Sequence, residues 1–157
     1  MNGDFHRDWL SGKFEEIRRR LLLALRQLDD EQVNWRPDRT SHSIATLIRH
    51  IEGNIQERFL KGILRQEVQR NREEELLPVC LRREELERIV QERFASVIET
   101  VATITDETLL GKQQVRSRER TNLDMLHQCA AHYSEHMGQI FYIAKHLLQE
   151  RYRSTSI

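Results

Sequence analysis

The chain has 157 residues, 38% of them hydrophobic, enough for one compact domain spanning 1–157 and too few to argue for two. Its 25 basic and 25 acidic side chains cancel, which leaves no electrostatic footprint for nucleic acid or an anionic membrane surface. Cys80 and Cys129 are too few to staple a domain of this size, Met1–Asp8 lacks a basic-then-apolar leader, and no run approaches the roughly 18 apolar residues of a membrane span, so the expectation is a soluble, cytoplasmic protein.

Glycine and proline are scarce, and Pro37 and Pro78 both fall where apolar periodicity breaks, so long helices are favoured over strands and turns. The first periodic segment carries Leu10, Phe14, Ile17, Leu21, Leu25 and Leu28 at three- and four-residue steps. It ends before Asn34-Trp35-Arg36-Pro37, where proline bars continuation and Trp35 is expected to cover the end of a bundle. A second helix starts at Ser41 or Ser43, either of which can cap, with His42 contributing, and runs through Ile44, Leu47, Ile48, Ile51, Ile55 and Phe59 to about Gly62. The stretch from Arg65 to Pro78 is dense in Arg and Glu and reads as a solvated connection without a binding role.

The third helix covers roughly Arg82 to Thr105, with Leu86, Val90, Phe94, Val97 and Val101 on its core stripe. Residues Lys112 to Arg120 form a polar link with weak alternation, compatible with a short hairpin. The fourth helix opens at Thr121-Asn122-Leu123-Asp124, a capping-box pattern, and runs to the polar tail at Arg151.

Within that fourth helix, His132 and His136 stand four residues apart, about one turn, so both imidazoles point the same way. With Cys129 they occupy a sector of about 60° on the shoulder of the apolar stripe. His50 lies on the shoulder of the second helix, beside Asn54 and Glu57. Facing helices of a bundle build metal sites from such shoulder positions. Three imidazoles without a fourth protein ligand leave an open coordination position, the mark of a catalytic site. Zinc is the default cation, and nickel, copper or iron also suit imidazole. Cys129 reads as a buried small hydrophobe, while Glu57 and Glu135 read as solvated carboxylates within reach of a base's role. His127 points well away from the pair and reads as a surface or partner contact; His146 and His6 carry no role.

These residues resemble the DinB/YfiT-like superfamily of metal-binding four-helix proteins. The resemblance covers nearly the whole chain and is most specific at Asn34-Trp35-Arg36-Pro37, at Ser43 through His50 to Gly53-Asn54, at Arg70-Asn71-Arg72-Glu73-Glu74, and at His132 through Gly138-Gln139-Ile140 to Lys145. His42 departs from the asparagine usual in that place. The resemblance implies an all-α, DinB-like four-helix bundle with one long crossover connection, often a homodimer. It implies a divalent metal held by His50, His132 and His136; the helical wheel, not the resemblance, adds Glu57, Asn54 and Cys129 as candidates for support around it. It also implies, from other superfamily members, transfer of a low-molecular-weight thiol to an electrophilic small molecule. A non-catalytic, metal-stabilised bundle that binds a partner, or a metal-dependent hydrolase, are the alternatives, because a shared fold does not fix a reaction.

Overall fold

A computed structural model describes residues 2–156. Four long helical segments form the body: α1 (Gly3–Leu25), α3 (Ile44–Ile55, extended by a π-helical segment Gln56–Lys61), α5 (Arg83–Thr103) and α7 (Asn122–Leu148). Short helices α2 (Asp30–Asn34), α4 (Arg72–Glu75) and α6 (Asp106–Leu110) and one antiparallel hairpin, β1 (Lys112–Val115) with β2 (Arg118–Thr121), fill the connections. The architecture is the expected all-α bundle. Around its axis α1 packs chiefly on α5 and α7, and α3 packs on the same two, so α1 and α3 lie diagonally opposed.

The caps are the polar residues expected of helix starts. Ser43 rather than Ser41 or His42 caps α3, its hydroxyl accepting from the Thr46 amide at 3.1 Å. Thr121 caps α7 by accepting from the Asp124 amide at 3.1 Å. The α1 and α5 stripes meet through Leu10, Phe14, Ile17 and Leu21 on one side and Leu86, Val90, Phe94 and Val97 on the other, all buried. Tyr133 of α7 is completely buried and meets Phe14 and Phe94 with ring centroids 6.1 and 5.9 Å away. No described helix is long and apolar enough to cross a membrane.

The crossover between α3 and α5 is held at both ends. Asn34 acts as a backbone surrogate at its far end, donating from Nδ2 to the Leu81 carbonyl at 2.7 Å and accepting from the Leu81 amide at 3.0 Å. The neighbouring Trp35 is half-buried and stacks on His146 at 5.3 Å. At the near end, the Arg70 guanidinium makes a two-pronged bond to Glu75, Nε at 2.6 Å and Nη2 at 2.8 Å, and both side chains are buried or nearly so. This segment therefore departs from the expected solvated connection: α4 folds back onto α3, and Glu75 is buried against it.

Candidate metal centre

Helices α3 and α7 are set in register by one buried bond. The Tyr133 hydroxyl, unable to reach water, donates to Asn54 Oδ1 at 2.9 Å. Asn54 lies one turn beyond His50 and Tyr133 is adjacent to His132, so the same bond that satisfies the phenol brings the two imidazoles together. Their Nε2 atoms are 3.3 Å apart. His136, one turn further along α7, completes the group: ring centroids are 5.0 Å from His50 to His136 and 4.4 Å from His132 to His136. One ring nitrogen from each of the three lies within 4.8 Å of the others, and no other group of three metal-ligating side chains converges in this way among the described residues.

The other side of each ring faces an oxygen. His136 Nδ1 donates to Gln139 Oε1 at 2.7 Å, which fixes the tautomer and leaves Nε2 with a free lone pair. His50 Nδ1 stands 3.5 Å from Glu75 Oε2, close but too long for a hydrogen bond. His132 Nδ1 is 3.9 Å from Glu135 Oε2, and that carboxylate is largely exposed. Carboxylate or amide oxygens behind imidazole ligands are the usual way of orienting a metal-binding ring.

The approach of Glu75 depends on Gly53. A Cβ there would sit 1.8 Å from Glu75 Oε1, so only a glycine one turn after His50 lets the carboxylate reach the imidazole. The Arg70 charge compensates the buried carboxylate from the other side.

Burial pushes His50 down to about 4, with the charges of His136 and His132 acting in the same direction and Glu75 opposing them. Burial likewise lowers His132. Both rings are therefore neutral near pH 7, the form that ligates. Two buried ring nitrogens, His50 Nδ1 and His136 Nε2, have no hydrogen-bond partner. An orphan buried acceptor costs roughly 1–3 kcal/mol, and for His136 Nε2 a cation among the three rings removes that cost. Zinc–imidazole bonds of about 2.0–2.1 Å place tetrahedral neighbours about 3.4 Å apart, close to the His50–His132 separation. The residues present therefore fit a divalent cation.

The remaining candidates are distributed differently. Asn54 and Cys129 line the same cleft as His50 and His132. Cys129 is buried, its thiol 3.7 Å from Asn54 Oδ1 and pushed up to about 12 by burial, so it is a hydrophobic wall rather than a thiolate. Glu57 does not back an imidazole: it pairs with Lys61 at 3.6 Å and faces the groove on the opposite side of the crossover, on the same side of the helix as Gly53 and Gln56. His127 meets His6 of α1, 3.1 Å between ring nitrogens. Glu75, Arg70, Gly53, Gln139 and Tyr133 were not legible as parts of the site. The similarity at Arg70-Asn71-Arg72-Glu73-Glu74 stops one residue short of Glu75, which periodicity cannot tell from its acidic neighbours.

The bundle has a DinB-like fold. The structure of a DinB-like protein (YjoA) from Bacillus subtilis superposes with a TM-score of 0.72 over 94% of this chain and 97% of that one, at 14% sequence identity. The chain belongs to the family described as protein of unknown function DUF1572, whose profile matches residues 4–157. No curated protein sequence matches it.

Proposed function

We propose that the protein binds one divalent cation, zinc by default and nickel or iron as alternatives, through the Nε2 atoms of His50, His132 and His136, and uses it to transfer a small thiol to an electrophile. The observation that carries this reading is the convergence of the three rings, one nitrogen from each within 4.8 Å of the others, with His50 and His132 at the wall of an open cleft of about 580 Å³. Three ligands and an open cleft leave room for a substrate atom. When bound, such a cation lowers the pKa of a coordinating thiol and presents it as a thiolate.

The chain supplies no nucleophile of its own here. Cys129, the one cysteine on the cleft wall, is buried and held protonated, so the sulfur that reacts comes from a substrate. In the transfer the thiol proton goes to solvent, the sulfur lone pair forms the new bond to the electrophilic carbon, and the leaving group departs with the electrons of the bond it breaks. Gln139 and Glu75 hold His136 and His50 in place throughout. The lone carboxylate on the cleft wall, Glu135, is what a hydrolytic reaction would draw on as base, and it favours that second reading.

Metal analysis of protein purified without a histidine tag, with His136→Ala beside it, tests the site; a screen of small thiols against model electrophiles tests the reaction. One equivalent of metal, lost in His136→Ala together with thiol transfer, is the expected result. Full transfer by metal-free protein overturns the mechanism, and bound metal with no transfer by any thiol leaves a metal-stabilised binding protein or a hydrolase.

A further inference from the structure

The chain is neutral overall, yet the cleft in front of the histidines is not. Six arginines line it, Arg58, Arg70, Arg72, Arg116, Arg118 and Arg120, against the single carboxylate of Glu135. Arg70 is committed to Glu75 and Arg120 to Asp124 at 2.6 Å. Arg58, Arg72, Arg116 and Arg118 have no acidic partner among the described residues. The groove on the other side of the crossover shows what an ordinary charged surface of this molecule looks like: there Arg49 and Lys61 face Glu52, Glu57 and Glu74, and the charges mix.

The hairpin that carries Arg116 and Arg118 is anchored at its base, while both side chains are exposed. Gln113 of β1 is buried, donates to Asn122 Oδ1 at 2.9 Å, and packs so closely on the end of the π-helical segment that a Cβ at Gly62 would lie 2.2 Å from its Oε1. Asn122 in turn donates to the Thr108 carbonyl at 2.7 Å. This anchor ties down the base of the β1–β2 hairpin, whose turn residues Arg116 and Ser117 line the cleft. In that turn Arg116 adopts φ 55°, a left-handed conformation where glycine or asparagine is the economical choice. Arginines without acidic partners gathered on one concavity point to an anionic ligand.

We infer that the cleft binds a small molecule carrying two or more carboxylate or phosphate groups, gripped by Arg58, Arg72, Arg116 and Arg118 while another of its atoms reaches the histidines. Guanidinium forks match both anions in a bidentate manner. The arginines line a concavity beside the histidines and do not form a stripe along a convex face, which favours a compact anion over a polymer. This inference rests on the histidines being the reactive end, but its first test does not.

Full-length, metal-free protein is titrated calorimetrically with inorganic pyrophosphate and, separately, with tricarballylate, which carries three carboxylates; the tighter of the two identifies the anion. Saturable binding that weakens with salt is expected. Losing two charge-assisted forks in Arg116→Ala/Arg118→Ala should weaken it about tenfold or more, with helicity by circular dichroism unchanged, while Lys61→Ala in the opposite groove leaves it intact. No saturable binding of either anion, or equal binding by the double variant, overturns the inference. A second arm loads the protein with cobalt and compares mercaptosuccinate with 2-mercaptoethanol by the thiolate-to-cobalt absorption. Tighter binding of the dicarboxylate, abolished by Arg116→Ala/Arg118→Ala at unchanged cobalt content, supports the inference. Cobalt held without that preference removes it alone, and failure to hold cobalt removes the metal reading while the metal-free titrations still decide the anion.

Discussion

His6 and His127 approach each other as closely as His50 and His132 do, 3.1 Å against 3.3 Å between ring nitrogens, yet the two pairs are built for different ends. His6 and His127 bridge α1 and α7 near the exposed rings of Phe5 and Trp9, and no third ligand joins them. Asp124, three residues before His127, is taken by Arg120. Around His50 and His132 there is a third ring, a buried carboxylate behind His50 with its own arginine, and an amide behind His136. Proximity of imidazoles is cheap where helices cross. What distinguishes a ligand set is the third converging ring, together with the oxygens placed behind its members.

The sharpest way to break that distinction is to remove one ring from each group. His136→Ala should lower affinity for zinc by more than about a hundredfold, since loss of a ligand exceeds the roughly 10–100-fold effect of losing a residue behind one. His127→Ala should leave it unchanged. Competition with a chromophoric chelator measures both, and a His127→Ala variant that loses metal would erase the contrast drawn above.

A smaller effect probes the support rather than the ligand. Glu75→Gln should weaken zinc binding about 10–100-fold while preserving stoichiometry. Gly53→Ala should act in the same direction, because its methyl displaces the Glu75 carboxylate. Glu135→Gln should do little, its carboxylate being exposed and 3.9 Å from His132. Equal losses from Glu75→Gln and Glu135→Gln would mean that burial of the supporting oxygen is irrelevant.

Burial lowers His127 as it lowers His50, and the larger effect falls on His50. His50 is held down to about 4 in the folded chain, against an ordinary value of about 6.5 when unfolded, first by burial and then by its two neighbours. Between those values the unfolded chain binds the proton and the folded one does not, so the stability of metal-free protein is full above about 6.5 and falls as pH drops toward 4. Thermal melts of metal-free protein should show a midpoint falling by several degrees across that window. His50→Leu should flatten the curve; a curve unaltered by that change would take His50 out of the account.

How much of this could be read from residues alone follows from what periodicity carries. The four core stripes repeat along continuous helices, so α1, α3, α5 and α7 were legible, and the His132/His136 spacing declared its own face. Glu75 was not, because its meaning comes from α4 folding back onto Gly53, a tertiary contact with no local repeat. Glu57 misled for the complementary reason: the helical wheel places it beside His50, and only the fold shows that it shares the Gly53 and Gln56 side of the helix, which faces the other groove. Asn34 read only as part of a turn, although its side chain bonds the backbone of Leu81, 47 residues later.

The smallest expected effect concerns Cys129, the soft donor one turn before His132 that might have been counted with the metal ligands. Its thiol is buried, contacts Asn54, and is pushed up to about 12 by that burial, so it stays protonated near neutral pH. Cys129→Ala should therefore leave zinc affinity within about twofold, since no ligand or supporting oxygen is lost. Mass spectrometry after iodoacetamide treatment of native protein should find Cys80, which is exposed, alkylated and Cys129 unmodified until the chain is unfolded. Rapid modification of Cys129 in the native state, or a metal affinity that falls with Cys129→Ala, would place the sulfur among the ligands. The open position that the three imidazoles leave for a substrate would then be filled by the protein itself.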